Sequence, residues 1–411
     1  MTENIKNNIE NTENTENTEK TDNIEKMNDR NGINAPDTRK ADGQDKTELL
    51  SLSLDEVRTL VAELGEPKYR AEQLYVAMNR GIAPENITNI PKAMKAKLAD
   101  AAYYHVPEIA MRLVSAIDGT RKYLLRLCDG NCIEAVLMKY NHGNTICVSS
   151  QVGCRMGCRF CASTIGGKVR DLTAGEILGE VIAVQNESGE RVSNIVMMGI
   201  GEPLDNYDNV VKFLHLVNAP EGLNIGYRHI SLSTCGVVPG IRKLAQEELP
   251  ITLSISLHAP DDKTRSEIMP INRSYCISEL MSACREYYRE SGRRISFEYT
   301  LISGKNDSEA AARSLAGLLN GSLRPRGNQI NERNGNGNKE NMPIHVNLIP
   351  VNDVTESGFV RSDQRSIDNF AKVLESKGIR ATVRRRLGPD INASCGQLRR
   401  SRANENEADK P

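Results

Sequence analysis

The sequence predicts an α/β protein whose main part is a partial (β/α)6, TIM-like barrel, preceded by an N-terminal helical accessory domain and a β-hairpin extension. Two observations support this fold class. Six short β-type runs alternate with helical segments between residues 145 and 349, as in parallel sheets with crossover helices. Polar and glycine-rich residues follow those runs, at the strand ends where β/α barrels carry their chemistry.

The two ends of the 411-residue chain are predicted to be disordered tails. Residues 1–46 repeat Asn-Thr-Glu and contain almost no large apolar side chains, so they cannot bury enough surface to offset the entropy of ordering. Their net charge is −4 and that of residues 403–411 is −2; against a total of −1, this leaves +5 on residues 47–402. A moderately basic body is compatible with RNA but does not require it.

Compartment is also indicated by composition. The sequence has no run of about 18 apolar residues and no basic-then-apolar signal pattern. Ten cysteines in a chain of this length are too sparse for a disulfide framework, and a reducing compartment keeps them available for metal binding or catalysis. We therefore expect a cytoplasmic protein that does not enter a membrane.

Residues 47–104 are predicted to form the helical accessory domain. Its first helix has Ser53 as N-cap candidate and Gly65 as stop, and its apolar residues recur at helical spacing: Leu54, Val57, Leu60, Val61 and Leu64. Two more helices are predicted over 69–79 and 91–104. Basic side chains stud this region: Lys68, Arg70, Lys92, Lys95 and Lys97. They form either an ordinary solvated face or an RNA-contacting patch.

A β-hairpin is predicted over residues 121–139, within a linker region of residues 105–142. Its two β-type runs are joined by Asp129-Gly130-Asn131, a strong turn signal. The hairpin places Glu134 on a strand, where a glutamate either faces solvent or serves a function.

Residues 143–402 are predicted to form the barrel. The six strands are expected at 145–150, 194–199, 229–234, 251–257, 295–302 and 344–349. The first barrel helix is expected near 174–185, because Thr173 and Glu176 form a capping-box pattern before its apolar residues. An Asn- and Gly-rich stretch at 321–341 interrupts the alternation and is predicted to be a flexible surface insertion.

Three cysteines follow the first barrel strand in the stretch CRMGCRFC: Cys154, Cys158 and Cys161. We expect this spacing to bring three thiolates to one point on a short loop. A structural zinc site normally closes with four protein ligands, and no histidine lies nearby. An iron-sulfur cluster held by three thiolates keeps one iron open for a substrate, so the missing fourth ligand favours a cluster. The alternatives are ordinary buried thiols or a zinc site with a distant fourth ligand.

Other polar residues are predicted to lie at the same edge of the barrel. Gly199 and Gly201 with Glu202 follow the second strand, and His258 follows the fourth. Each has a plainer interpretation, since the glycines could form only a tight turn and the histidine could be a satisfied core residue. Their concurrence at one edge is a stronger signal than any of them alone.

A family resemblance extends over residues 49–399. It is carried by GEPKYRAEQL, DGTRKYLLRL, DGNCIEAVL, ICVSSQVGCRMGCRFCAST, MGIGEPLDNYDNV, LSTCGVVPGI, SISLHAPDD, NLIPVN and NASCGQL. The chain resembles the radical S-adenosylmethionine (SAM) RNA methyltransferases of the RlmN family, which methylate carbon 2 of an adenosine in 23S rRNA and also act on tRNA. Ile200 stands where this family usually has methionine.

The resemblance implies cofactors, ligands and partners. It implies a 4Fe–4S cluster on the three cysteines, with two SAM molecules used per turnover. Seven residues match the SAM-holding positions of the family: Gly201, Glu202, Ser233, Ser256, Leu257, His258 and Asn347. An external electron donor such as flavodoxin, rRNA and tRNA substrates and a monomeric state are expected on the same ground.

The resemblance also assigns three catalytic residues. Cys395, beside Arg384, Arg385, Arg386, Arg399 and Arg400, accepts a methyl group from one SAM. A radical from the second SAM activates that methyl, which then joins the adenine ring to the protein as a thioether. Cys147 matches the thiol that resolves this adduct, and Glu134 matches the proton acceptor. The sequence leaves open whether Glu134 or Cys147 removes the ring proton.

Two other interpretations are compatible with these motifs. The sibling enzymes that methylate carbon 8 of the same nucleotide and confer antibiotic resistance share the cysteine set, and product analysis separates the two. A non-catalytic RNA-binding or zinc-binding protein is the alternative from a different class. It is disfavoured by retention of all five chemically needed cysteines, at 147, 154, 158, 161 and 395.

Overall fold

The computed structural model describes residues 40–41, 44–323, 342–351 and 358–391. Several predicted features therefore lie outside the described residues: Cys395 with its NASCGQL motif, Arg399, Arg400, the 403–411 tail, and most of both the N-terminal tail and the 321–341 insertion.

Three helices near the N-terminus confirm the predicted helical segments: α1 (Leu54–Glu63), α2 (Tyr69–Asn79) and α3 (Lys92–Ala101). Ser53 caps α1 in a capping box, in which its hydroxyl accepts a bond from the Glu56 N–H at 3.2 Å and the Glu56 carboxylate accepts from the Ser53 N–H at 2.7 Å. The inward residues Val57 and Val61 are fully buried and belong to the same continuous apolar core as the barrel strands.

Ten strands form one sheet: β1 (Glu108–Val114), β2 (Arg121–Arg126), β3 (Cys132–Tyr140), β4 (Gly143–Cys147), β5 (Val192–Met197), β6 (Ile230–Thr234), β7 (Thr252–Ser256), β8 (Ile295–Leu301), β9 (Ile344–Pro350) and β10 (Arg380–Val383). Their order in the sheet is their order in the chain. Strands β1 to β4 form an antiparallel meander, whereas β4 to β10 are parallel.

The sheet contains two strands that the sequence did not predict. The predicted hairpin is β2 and β3, and the six predicted barrel strands are β4 to β9, although β4 ends at Cys147 rather than at residue 150. The unpredicted strands, β1 and β10, are the two edges of the sheet. Both have largely exposed or half-buried side chains, so neither shows the apolar run of a central strand.

Seven further helices connect or follow the parallel strands: α4 (Ala174–Ser188), α5 (Tyr207–Asn218), α6 (Val238–Ala245), α7 (Asp262–Ile268), α8 (Ile277–Ser291), α9 (Glu309–Leu323) and α10 (Gln364–Ser376). The predicted capping box of α4 is present, with Thr173 and Glu176 capping each other's N–H groups. Among the helices of the described residues, none is long and apolar enough to cross a membrane.

The sheet is curled into a partial barrel. In a flat sheet, strands five positions apart are separated by about 24 Å. However, Arg384, just after β10, donates to the Met198 sulfur, just after β5, at 3.9 Å. No strand pairing joins β10 to β1 within the described ranges, so the barrel stays open on that side. Apolar residues such as Ile195 and Leu253 pack into the main core, whereas alternate residues such as Ser233 and Glu298 line the cavity inside the curl.

Candidate active site

The cysteine loop projects from a short β-ribbon just after β4. Gln151–Gly153 pairs antiparallel with Lys168–Asp171, and the three cysteines lie in the segment between them. Gly153 has φ +80°, and a Cβ there would lie 2.0 Å from the Gly167 carbonyl oxygen. A side chain at this position would therefore push the ribbon apart, which ties the geometry of the loop to a glycine.

The three cysteines line one cavity at the carboxyl ends of the parallel strands. Cys154 and Cys158 are buried, whereas Cys161 is partly exposed. Burial raises the pKa of the Cys154 thiol to about 12 and raises that of Cys158 further above its usual range. Such thiols become thiolates only when a cation compensates the cost of the buried charge, as a metal centre does.

The prediction that the three sulfurs meet at one point stays a prediction, although all three cysteines line the same cavity. No group of three His, Cys, Asp or Glu side chains in the described part of the chain is arranged to hold a single metal ion. A cubane cluster does not need that arrangement, because each thiolate ligates a different iron atom. Three thiols on one cavity supply the ligand set that a three-thiolate cluster needs.

Two polar residues that the sequence analysis did not single out hold the cysteine loop to the loop after β5. The Gln151 amide donates to Asp171 and Asp205, at 2.8 Å each, and accepts from the Glu202 N–H at 2.9 Å. Asp205 also accepts from Lys168 at 3.0 Å and from Arg155. Burial opposes ionisation of Asp205, but the Gln151 hydrogen bond and the two cations lower the pKa of this carboxyl overall.

Gly201 and Glu202, in the loop after β5, also line the cavity. Gly201 has φ +113°, and a Cβ there would lie 2.6 Å from the Ser150 hydroxyl, so the close approach of the two loops requires glycine. The Glu202 carboxylate accepts from the Cys235 N–H at 2.7 Å and from the Leu204 N–H at 3.0 Å. Burial raises the pKa of Glu202, while these donors lower it. The arrangement presents an acidic, fully buried acceptor to any bound ammonium or hydroxyl group.

His258 is both a core residue and a cavity residue. Its Nδ1 accepts from the Thr300 N–H at 2.9 Å, so the neutral ring carries its proton on Nε2. Burial, with Arg265 nearby, lowers its pKa to about 3. The ring meets Phe160 of the cysteine loop edge-on, with centroids 4.9 Å apart, and the backbone has the strained φ of +57°. Ser233 and Ser256 line the same cavity at the ends of β6 and β7.

Two of the predicted SAM-holding residues do not line this cavity. The Leu257 side chain is fully buried in the main core, so only its main chain lies at the strand end. Asn347 on β9 instead donates to the Glu298 carboxylate at 2.8 Å, and Glu298 does line the cavity. Sequence reasoning missed Glu298 because a glutamate inside an apolar strand run gives no local signal of the face it occupies.

Cys147 and Glu134 lie on one face of the sheet. Cys147, on β4, is directly opposite Val136 of β3, which in turn is opposite Lys122 of β2. Glu134 is two residues before Val136 and therefore shares its face. Its carboxylate is buried and lies 3.2 Å from the Lys122 ammonium, so it is not solvent-facing. Neither Cys147 nor Glu134 is among the residues that line the cysteine cavity.

The segment after β10 crosses this face and is anchored at the β1–β2 turn. Leu387 packs against the cluster that contains Cys147 and Val136. The Asp390 carboxylate accepts from the Ser115 hydroxyl at 2.7 Å and from the Ala116 N–H at 2.9 Å. In return, the Asp118 carboxylate accepts from the Gly388 N–H at 2.9 Å. We call this pair of carboxylate contacts the aspartate clasp.

The basic residues divide into two kinds. Arg385 and Arg386 are exposed, whereas Arg384 reaches the lining of the cysteine cavity. Lys97 is engaged within the protein, since its ammonium donates to Glu66 and to the Leu64 carbonyl at 2.8 and 2.7 Å. The N-terminal basic helices thus use part of their charge for internal contacts.

A partial parallel barrel with three cysteines in a C-x3-C-x2-C loop at its carboxyl edge defines a radical SAM enzyme, and residues 148–315 match the Radical SAM superfamily. The solved structure of a radical SAM methyltransferase from Sphaerobacter thermophilus is similar to this chain, with 41% identity and a TM-score of 0.77 over 85% of this chain and 98% of that one.

Two relatives are more specific. Proteins of Clostridium perfringens (strain 13 / Type A) and Clostridium tetani (strain Massachusetts / E88) are both named "Probable dual-specificity RNA methyltransferase RlmN". The first is 52% identical over 355 residues, covering 86% of this chain and 96% of the relative. The second is 52% identical over 353 residues, covering 86% and 95%. The chain therefore belongs to the RlmN family of dual-specificity RNA methyltransferases.

Family membership makes the protein a SAM-dependent RNA methyltransferase and implies an iron-sulfur cluster, SAM and an RNA substrate. The residues present fit these groups. Cys154, Cys158 and Cys161 supply three thiols and leave one iron without a protein ligand. Glu202 and His258, which line the same cavity, supply an acidic acceptor and a neutral ring donor.

Proposed function

We propose that this enzyme adds a methyl group to carbon 2 of an adenosine in 23S rRNA and in tRNA, with Cys395 as methyl carrier, Cys147 as resolving thiol and Glu134 as proton acceptor. The observation that carries the proposal is the shared face of Cys147 and Glu134, together with the chain that crosses it toward Cys395. Cys395 follows Ile391 by four residues, and four extended residues span at most about 14 Å.

The chemistry of adenine explains why two thiols are needed. Carbon 2 has no lone pair, so it cannot displace a methyl group from SAM directly. When bound, the cluster and SAM supply a carbon radical that can take hydrogen from a methyl group. A methyl already attached to a protein sulfur can then bond to the ring, which is why two SAM molecules are consumed per turnover.

The polar steps belong to the chain's own residues. The Cys395 thiolate takes the methyl from the first SAM, and S-adenosylhomocysteine leaves. After the thioether to the ring has formed, the Glu134 carboxylate takes the proton from carbon 2, and the unpaired electron on the ring would pass to the oxidised cluster, which leaves a closed-shell adduct. The Cys147 thiolate attacks the Cys395 sulfur, an S–S bond forms, and the sulfur–carbon bond breaks. The electron pair released onto the CH2 group takes a proton to complete the methyl, and an external thiol reduces the disulfide.

RNA is expected to approach the open side of the barrel, where Arg385 and Arg386 are exposed next to the segment leading to Cys395. An external electron donor such as flavodoxin supplies the electron that first reduces the enzyme. Both assignments belong to the proposal and rest on the family.

The test compares single cysteine variants with reconstituted enzyme and an rRNA fragment. Cys147→Ala is expected to stall as a covalent protein–RNA adduct on a denaturing gel, whereas Cys395→Ala forms neither adduct nor methylated RNA. The double variant forms no adduct, because Cys395 acts first. Cys284→Ala is the matched control, since Cys284 is buried in α8 and does not line the cysteine cavity.

Mass spectrometry of digested RNA identifies the methylated carbon. 2-Methyladenosine supports the proposal, whereas 8-methyladenosine assigns the chain to the sibling activity. Normal turnover by Cys147→Ala, or an adduct in the absence of Cys395, contradicts the two-thiol scheme.

A further inference from the structure

Arg265, on α7, is the largest fully buried side chain in the described part of the protein. Its exposed fraction is 0%, and its guanidinium lies behind the ends of β6 and β7. Arginine is almost never buried to this extent without an acidic partner, because removing an unpaired charge from water costs several kcal/mol. The surroundings of Arg265 therefore need an explanation beyond packing.

Every hydrogen-bond partner of this guanidinium is neutral. Nε donates to the Leu257 carbonyl at 3.1 Å, and Nη2 donates to the carbonyls of Cys235 and Ser256 at 2.6 and 3.1 Å. Nη1 donates to the Asn272 side-chain oxygen at 3.0 Å. Within the described residues, no carboxylate lies at ion-pair distance from Arg265.

The acid closest in sequence is already engaged elsewhere. The Asp262 carboxylate accepts from the Asn272 amide at 2.9 Å and from the Ile277 N–H at 2.8 Å. Asp262 does favour the charged form of Arg265 through space, but burial still lowers the pKa of the guanidinium. Among the residues that the structure describes, the positive charge thus has no carboxylate in direct contact with it.

The cysteine loop lies next to this charge. Cys235 and Ser256, whose carbonyls bind Nη2, both line the cysteine cavity. The loop is fixed to the end of α7, since the Arg159 N–H donates to the Ile268 carbonyl at 3.0 Å and Cys158 packs in one cluster with Ile268. Three thiolates at this cavity would provide the missing negative charge.

We propose that Arg265 is an electrostatic positioning residue for the iron-sulfur cluster, whose buried positive charge beside Cys158 favours the reduced cluster. One-electron reduction adds a negative charge, and net charge near a cluster is one of the quantities that set its potential. A cation held in a low-dielectric site acts more strongly than one in solvent. The assignment does not depend on which carbon of adenosine is methylated.

The test is a redox titration of anaerobically reconstituted enzyme, followed by electron paramagnetic resonance, without RNA. Arg265→Met removes the charge and keeps the length of the side chain, whereas Arg265→Lys keeps the charge and loses the planar fork. Arg273→Met is the matched control, because Arg273 is an exposed arginine in the segment after α7. Iron and sulfide contents and the visible spectrum establish that each variant carries a full cluster.

Arg265→Met is expected to lower the equilibrium constant for reduction at least tenfold, which corresponds to about 59 mV for one electron. The equilibrium constant for reduction of Arg265→Lys should stay within threefold of the wild-type value, and that of Arg273→Met should equal it. An unchanged potential in fully loaded Arg265→Met overturns the proposal. So does an equal fall in the Met and Lys variants, since geometry rather than charge would then be responsible.

If Arg265→Met does not retain a cluster, the lysine variant decides. An equilibrium constant for reduction within threefold of the wild-type value supports a role for charge, because the planar fork and its four hydrogen bonds have been lost. A fall of tenfold or more in the equilibrium constant for reduction of Arg265→Lys overturns the assignment.

Discussion

Replacing Lys122 with methionine removes the cation from a fully buried pair. The Lys122 ammonium lies 3.2 Å from the Glu134 carboxylate, and both side chains are at most 1% exposed. Removing one partner of a buried ion pair weakens the compensation of the charge that remains, which costs up to about 3 to 5 kcal/mol. For roughly 330 described residues the unfolding entropy is about 0.7 kcal/mol per kelvin, so the melting temperature should fall by about 4 to 7 °C.

The assay is scanning calorimetry of the anaerobic protein without cluster, for Lys122→Met, Glu134→Leu and the double variant. The double variant should recover most of the loss, because no buried charge is then left alone. Lys139→Met is the control, since the Lys139–Glu190 pair has a lysine that is 44% exposed, and such surface pairs contribute about 1 kcal/mol or less. A fall of less than 1 °C for Lys122→Met, or additive losses in the double variant, would refute the reasoning.

Three further outcomes are expected. Anaerobically purified protein should be brown with about four irons per chain, and Cys158→Ala should lose colour and activity together; a colourless wild type with stoichiometric zinc would contradict the cluster. Replacing Arg385 and Arg386 with alanine should weaken RNA binding and reduce the slope of log affinity against log salt by about 2, whereas an unchanged slope would exclude this surface. The folded-state pKa of His258 is lowered to about 3 from its usual value of 6.5, so its contribution to stability is complete above pH 6.5 and is lost as the pH falls toward 3. His258→Gln should therefore flatten this part of the profile of melting temperature against pH, and an unchanged profile would contradict the assignment.

Sequence alone predicts the features that depend on local chemistry. The N-cap at Ser53 and the capping box at Thr173 are present because both partners lie within one turn of the chain. The central strands are recognisable because both of their faces are buried, and the cysteine loop because its spacing is local.

Other features depend on contacts that no short window contains. Gln151 and Glu298 are polar residues in strands, and only the folded sheet shows that one links two loops and the other faces the cavity. Arg265 resembles any surface arginine of a helix until its turn is packed against β6 and β7. The edge strand β10 escapes prediction because half-exposed residues have no apolar pattern.

The aspartate clasp joins the segment after β10 to the β1–β2 turn, so it can form only when residues up to Asp390 are present. It joins residues 270 to 275 positions apart, the longest separation among the side-chain hydrogen bonds described for this protein. Contacts of such high contact order form late in folding, and during synthesis Asp390 leaves the ribosome only after the rest of the barrel. A prematurely terminated chain would therefore carry the cluster cysteines without the clasp. Synthesis of the chain through Asp390 thus sets the earliest point at which this contact can form.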